Sequence, residues 1–180
     1  MNAMNTHYPD PTLVEPVARH TLSIVVDNEP GVLARIAGLF SGRGYNIESL
    51  TVSETEHEKH VSRITVVTSG TNAILQQIKA QLERLVPVHT VVDYTVQGNA
   101  IEREVALVKV AGRGEHRLEA MRLASAFGAR TVDATLTSFI FELTGSTDEV
   151  ERFIGLMVTV GLVEVSRTGV AAMGRGAGGL

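Results

Sequence analysis

Two asparagines, a Pro-Gly step and a helix stopped by glycine carry the chemistry this chain offers. Asp27-Asn28-Glu29-Pro30-Gly31-Val32-Leu33 follows an apolar alternation and opens a helical periodicity. The first N–H groups of a helix have no partner within it, and its dipole favours negative charge, so such an end suits a carboxylate. Pro30 has no N–H, which leaves Gly31, Val32 and Leu33 as the expected first donors. Gly31 lets a ligand approach the backbone closely. The Asn28 amide, ahead of the turn, can donate and accept together. Asn46 stands where the next strand begins. Together these groups suit a free amino acid, with the carboxylate on the helix end and the ammonium on an amide or carbonyl oxygen. A plainer reading stands beside it: Asn28 caps the helix, and Asn46 takes a left-handed turn conformation.

Other combinations offer less. No nucleophile and base are set side by side. His57 and His60 share a polar turn, but no third metal ligand accompanies them. Gly112-Arg113-Gly114-Glu115 lacks the lysine of a phosphate loop and the dinucleotide glycine spacing, and reads as a turn before a helix. Glu54, Glu56 and Glu58 with Lys59 read as a solvated loop, with no spacing that isolates an acid–base pair. The 180 residues include no cysteine, which excludes disulfides and thiolate chemistry and suits a reducing cytoplasm. A net charge of −4 argues against a nucleic-acid surface. No apolar run approaches the ~20 residues of a membrane helix.

The elements that position the asparagines follow from periodicity. Leu22, Ile24 and Val26 alternate in a half-buried strand, and Leu33, Ile36, Ala37 and Phe40 share one face of a helix over 31–41. Gly42 or Gly44 supplies the left-handed residue that ends it. Residues 45–54 and 61–68 read as a hairpin. Thr71 caps a second helix with the stripe Leu75, Ile78, Leu82 and Leu85, which Pro87 forbids to continue. A strand over 88–96 follows, with Val88, Val92, Tyr94 and Val96 on one face. After Gln97-Gly98-Asn99 the order recurs. It comprises a strand over 104–110, a helix over 115–127 with Leu118, Met121, Ala124 and Phe127 inward, a strand pair over 130–134 and 136–143, a helix opened by the capping box Ser146-Thr147-Asp148-Glu149, and a strand over 162–167. The fold class is therefore α+β, two successive ferredoxin-like βαββαβ units. The expected division is a disordered extension over 1–19, a first unit over 20–97, a second over 98–170 and a flexible glycine-rich tail over 171–180. A sheet with helices on one face needs cover on the other, so the first unit is expected to pair with a second copy.

The run from Asp27 to Leu33, with Gly38-Leu39-Phe40 and Arg43-Gly44-Tyr45-Asn46-Ile47-Glu48-Ser49-Leu50, closely resembles the small regulatory subunit of acetolactate synthase and its ACT domain, an amino-acid-binding ferredoxin-like module. Glu102-Arg103-Glu104 with Leu107-Val108-Lys109-Val110 resembles that family's domain junction, and Arg167-Thr168-Gly169 with Arg175-Gly176 its C-terminal motif. The likeness spans 20–176. It implies a homodimer through the ACT domain that binds valine or a related branched-chain amino acid at the interface. Asn28, Gly31, Val32 and Leu33 would come from one chain, Asn46 and Ile47 from the other. It also implies a large catalytic partner, which carries thiamine diphosphate, magnesium and FAD and condenses two 2-oxo acids. The small subunit activates it and confers feedback inhibition, with no cofactor or catalysis of its own. The extension before His20 and the glycine-rich tail depart from the family pattern and leave the site residues intact.

Two rival classes share the plan. An RNA-binding sheet stacks bases on aromatics of its central strands, where this chain carries Leu22, Ile24, Ile64 and Val66. A free-standing amino-acid sensor is set aside only by the resemblance.

Overall fold

The structure is a computed structural model that describes residues 15–56 and 60–180. The order is β1 (Ala18–Asp27), α1 (Val32–Ser41), β2 (Ser49–Glu56), β3 (Val61–Gly70), α2 (Asn72–Leu82), β4 (Val88–Asp93), α3 (Tyr94–Gln97) and β5 (Ala100–Ala111), followed by α4 (Glu115–Ala126), β6 (Arg130–Ala134), β7 (Ser138–Gly145), α5 (Thr147–Val158), β8 (Leu162–Arg167) and β9 (Ala171–Gly174). The strands form two antiparallel sheets, ordered β2-β3-β1-β4 and β6-β7-β5-β8, with β9 paired to the start of β5. Each is the split βαβ plan expected from the sequence.

In the first unit Leu22, Ile24 and Val26 meet Ile36 and Phe40 of α1 and Leu75, Ile78 and Leu82 of α2 in one core. The inward face of α1 is Val32, Ile36 and Phe40, one residue round from the expected stripe, and Leu33 is left outside. Gly44, at φ 71°, ends the helix. Tyr45 N–H returns to the Phe40 carbonyl and Gly44 N–H to that of Ser41, and the Tyr45 ring packs edge-on against Phe40. This turn delays β2 to Ser49, four residues later than expected.

β4 stops at Asp93 and not at 96. The Asp93 carboxylate accepts from the N–H groups of Thr95 and Val96, which bends the chain into α3. Tyr94 and Val92 then turn to the sheet's outer face, while Val91 enters the helix-side core. There they meet Val67, Val170 and Ala172, so α3, β5 and β9 cover this face from within the chain. The argument that this face calls for a second copy therefore fails, and any second copy must use another surface. β9 also takes the first four residues of the segment expected as a flexible tail. At the other end β1 already includes Ala18 and Arg19, residues 15–17 of the expected extension are irregular, and 1–14 lie outside the described residues.

The second core joins Ala106, Val108, Val110, Phe139 and Phe141 to Phe153 and Met157. Here α4 departs from expectation. Its buried residues are Ala120 and Ala124, while Leu118 and Met121 are exposed. Small side chains let α4 lie close on the sheet, with Phe127 filling the space against Phe153.

At the start of α5 the Ser146 hydroxyl accepts from Glu149 N–H, and the Glu149 carboxylate accepts from Ser146 N–H and its hydroxyl. Those bonds, backbone first, hold the Glu149 carboxyl below its ordinary pKa. A depressed carboxylate stabilises the fold above its unfolded pKa, and that stability is lost as pH falls through the folded value. Ser146→Ala is expected to cost about 1 kcal/mol at neutral pH. In urea unfolding its deficit should shrink as the pH drops below the usual glutamate range.

Candidate functional site

The turn between β1 and α1 is held by the backbone. Asp27 N–H donates to the Pro87 carbonyl at 2.9 Å and Asn28 N–H to that of His60 at 2.6 Å. The Asp27 carboxylate meets His89 Nε2 at 2.6 Å, and Glu29 lies 3.9 Å from Arg35, so the acids beside the turn face an imidazole and a guanidinium. Gly31 is the N-cap at φ 85°, where an added Cβ would meet open space, so the glycine serves backbone conformation and access alike. No side chain caps the helix. Asn28 therefore does not cap. It is exposed, and its amide has no hydrogen-bond partner among the described residues.

The expected donors divide. Val32 N–H donates to the Glu29 carbonyl at 3.3 Å, and its side chain is core. The N–H groups of Gly31 and Leu33 have no backbone partner among the described residues. Leu33, 41% exposed, adds an apolar side chain beside them. The result is an open helix end at which, among the described residues, the N–H groups of Gly31 and Leu33 and the Asn28 carboxamide are unpartnered beside an apolar neighbour.

Asn46 and Ile47 lie at the other end of α1, past the Gly44 turn. The Asn46 carbonyl accepts from the Thr68 hydroxyl at 2.6 Å, Glu48 N–H donates to Val67, and the Glu48 carboxylate meets Ser69. Asn46 is exposed, again with no side-chain partner among the described residues, and Ile47 packs partly against the core. Ten residues of α1 separate the two groups, a rise of about 15 Å. One protomer does not bring them together. Thr68 and the His60 carbonyl, which fix the two ends, were missed from sequence. Their only signal is position, Thr68 on β3 and His60 immediately before it.

An ion cluster within the second unit stands beside the hydrogen bonds that tie this unit to the first. Glu104, 3% exposed, receives the Arg167 guanidinium at 3.1 and 2.5 Å, and Arg167 also meets Glu151. These bonds, Glu104 first, push the Arg167 pKa further up, so its charge is permanent. Beyond it Val170 N–H donates to the Ser49 hydroxyl and its carbonyl accepts from Thr51, both at 2.9 Å. Gly169, at φ 82°, lies so close that a Cβ would sit 2.6 Å from the Ser49 oxygen. Gly169→Ala is expected to cost about 1–2 kcal/mol from the left-handed backbone alone, read as a lower urea midpoint.

Among the described residues no group of three or more His, Asp or Glu could hold a metal ion. His57 of the sequence pair lies outside them. Among the described residues no helix is long and apolar enough to cross a membrane.

The sequence and the fold both match known proteins. Residues 22–90 match the family model described as the AHAS small subunit-like ACT domain, and residues 103–176 match that for the small subunit of acetolactate synthase. A probable acetolactate synthase small subunit from Archaeoglobus fulgidus is 45% identical over 158 residues, 88% of this chain and 98% of that one. The isozyme 3 small subunit from Salmonella typhimurium is 42% identical over 159 residues, 88% of this chain and 96% of its own. The crystal structure of the small subunit from Thermotoga maritima superposes with a TM-score of 0.79 at 36% identity, over 89% of this chain and 99% of that one.

Proposed function

Because the chain belongs to the family of acetolactate synthase small subunits, we propose that it is the regulatory subunit of that enzyme in branched-chain amino acid biosynthesis. It activates a thiamine diphosphate-dependent catalytic subunit and makes it sensitive to valine, or another branched-chain amino acid, bound between two ACT domains. The chemistry and the cofactors, thiamine diphosphate, magnesium and FAD, belong to the catalytic partner, and the setting is the cytoplasm.

One observation carries the reading: the two effector-binding groups sit at opposite ends of α1. β2 is an edge strand of its sheet and runs parallel to β1, so its end, Glu56, lies level with Asp27. Two copies of β2 paired about a two-fold axis run antiparallel. The start of the partner's β2 then lies level with this chain's α1 N-terminus. Pairing exposed edges is a common route to association. It sets the Asn28–Leu33 turn of one chain against Asn46 and Ile47 of the other. The effector's carboxylate takes the free N–H groups of Gly31 and Leu33, and its ammonium the carboxamide and carbonyl oxygens. Its branched side chain lies against Leu33 and Ile47.

Effector binding shifts the catalytic subunit only if the complex has two states that bind it differently. Such couplings are typically about 1–3 kcal/mol, and by reciprocity the catalytic subunit changes effector affinity by the same factor.

The test is thermal unfolding of the full chain against a panel of free amino acids, followed by activity of the reconstituted enzyme. A branched-chain ligand at a hundred times its dissociation constant is expected to add about 2.7 kcal/mol, and valine to inhibit the reconstituted complex. A complex that the chain neither activates nor sensitises to any branched-chain amino acid would overturn the proposal. A chain that responds to amino acids but never binds the catalytic subunit would be a free-standing sensor.

A further inference from the structure

A cleft of about 340 Å³ lies between the outer face of the first sheet and the strands β5 and β9 that cross it. Alternation along the sheet puts the hydroxyls of Thr51, Ser53, Thr55 and Thr65 on this face together with Arg63. Arg103, from β5, borders the cleft from the second unit. The chain carries more acids than bases, 20 against 16, yet among the described residues no acidic side chain lines this space.

Arg63 is the cation that the first sheet itself contributes to this cleft. Arg19, Arg35, Arg122, Arg130 and Arg167 each face a carboxylate. Arg63 has none among the described residues, and its Nε, like Arg117 Nη1 in the second unit, is shut off from solvent with no hydrogen-bond partner. A buried guanidinium N–H left unbonded is costly and calls for an explanation. Thr51 already donates to Val170 and Thr55 to Val61. Ser53 and Thr65 have no recorded partner among the described residues, so their hydroxyls remain as neutral donors beside Arg63. One Nη of Arg103 meets the Glu102 carbonyl, and the same guanidinium also acts on Glu149 from a distance, with no ion pair formed among the described residues. A fork of N–H groups with adjacent hydroxyls and no competing carboxylate matches an anionic oxygen pair.

We propose that this cleft binds a small oxyanion, a carboxylate or phosphate group. The Arg63 guanidinium takes it in a forked contact, the hydroxyls of Ser53 and Thr65 donate to it, and Arg103 closes on it from the second unit. The site lies on the face of the sheet opposite α1 and is independent of the effector reading. A bound anion would join β3 of the first unit to β5 of the second and tighten their contact.

The test follows the arginine Nε–H signals of the full-length ¹⁵N-labelled protein during titration with inorganic phosphate and, separately, acetate. A saturable shift of the Arg63 Nε–H is expected, with matching shifts at the Ser53 and Thr65 amides. Arg63→Gln should weaken the response at those amides by about tenfold or more, and Arg63→Lys, which keeps the charge, by less. Asn28→Ala should leave it intact. A response to phosphate alone assigns a phosphate group, and a response to both assigns a general oxyanion site. No saturable response to either, or an undiminished one in a folded Arg63→Gln protein, would overturn the proposal.

Discussion

Replacing Arg167 by methionine is expected to destabilise the protein by about 3–5 kcal/mol, because it leaves a charge buried without its partner. The Glu104 side chain is 2% exposed, and Arg167 supplies both of its recorded side-chain contacts. The attraction between the two ions is not the source of this figure, since desolvation offsets much of it. The cost is that of the orphaned carboxylate. Replacing both residues, Glu104→Leu with Arg167→Met, should therefore recover most of the loss, and the double-mutant cycle should show strong coupling. Urea unfolding of the four proteins measures it. A single-variant cost below about 1 kcal/mol, the value of an exposed pair, would mean that Glu104 is solvated.

Asn28→Ala and Asn46→Ala are each expected to weaken effector binding by about 10- to 100-fold, the value of one hydrogen bond to a charged group. Stability and activation of the catalytic subunit should change little. Both side chains are exposed and make no hydrogen bond within the described chain, so their loss removes nothing the fold uses. Inhibition curves of the reconstituted enzyme, with activation at zero effector as the control, give both quantities. Loss of activation together with inhibition would mean that the asparagines serve assembly.

The sequence made the helix-side cores legible where large apolar residues recur at one spacing, as in Leu22, Ile24 and Val26 or Leu75, Ile78 and Leu82. It misled where the buried residues are small. In α4 the eye follows Leu118 and Met121, but Ala120 and Ala124 pack on the sheet because close approach needs small side chains. The end of β4 was hidden for another reason. Tyr94 and Val96 continue a strand pattern, and only the Asp93 carboxylate, acting as a cap, turns the chain. β9 has no pattern of its own and exists through pairing with Ala100–Arg103, a contact distant in sequence. The candidate site divides in the same way. The open helix end follows from Pro30 and Gly31. The use of Val32 N–H within the turn does not, because it depends on the bend at Glu29. The separation of Asn28 from Asn46 was implicit in the ten-residue helix between them.

That separation is the central claim, and mixed dimers test it most directly. A dimer of one Asn28→Ala chain and one Asn46→Ala chain, purified through two different tags, should hold one fully intact site and one doubly damaged site. Valine titration by calorimetry is then expected to find one site per dimer with native affinity, although neither homodimer has any. If the mixed dimer binds no better than the variants it is made from, the two asparagines act within one chain or not at all, and the shared site is refuted.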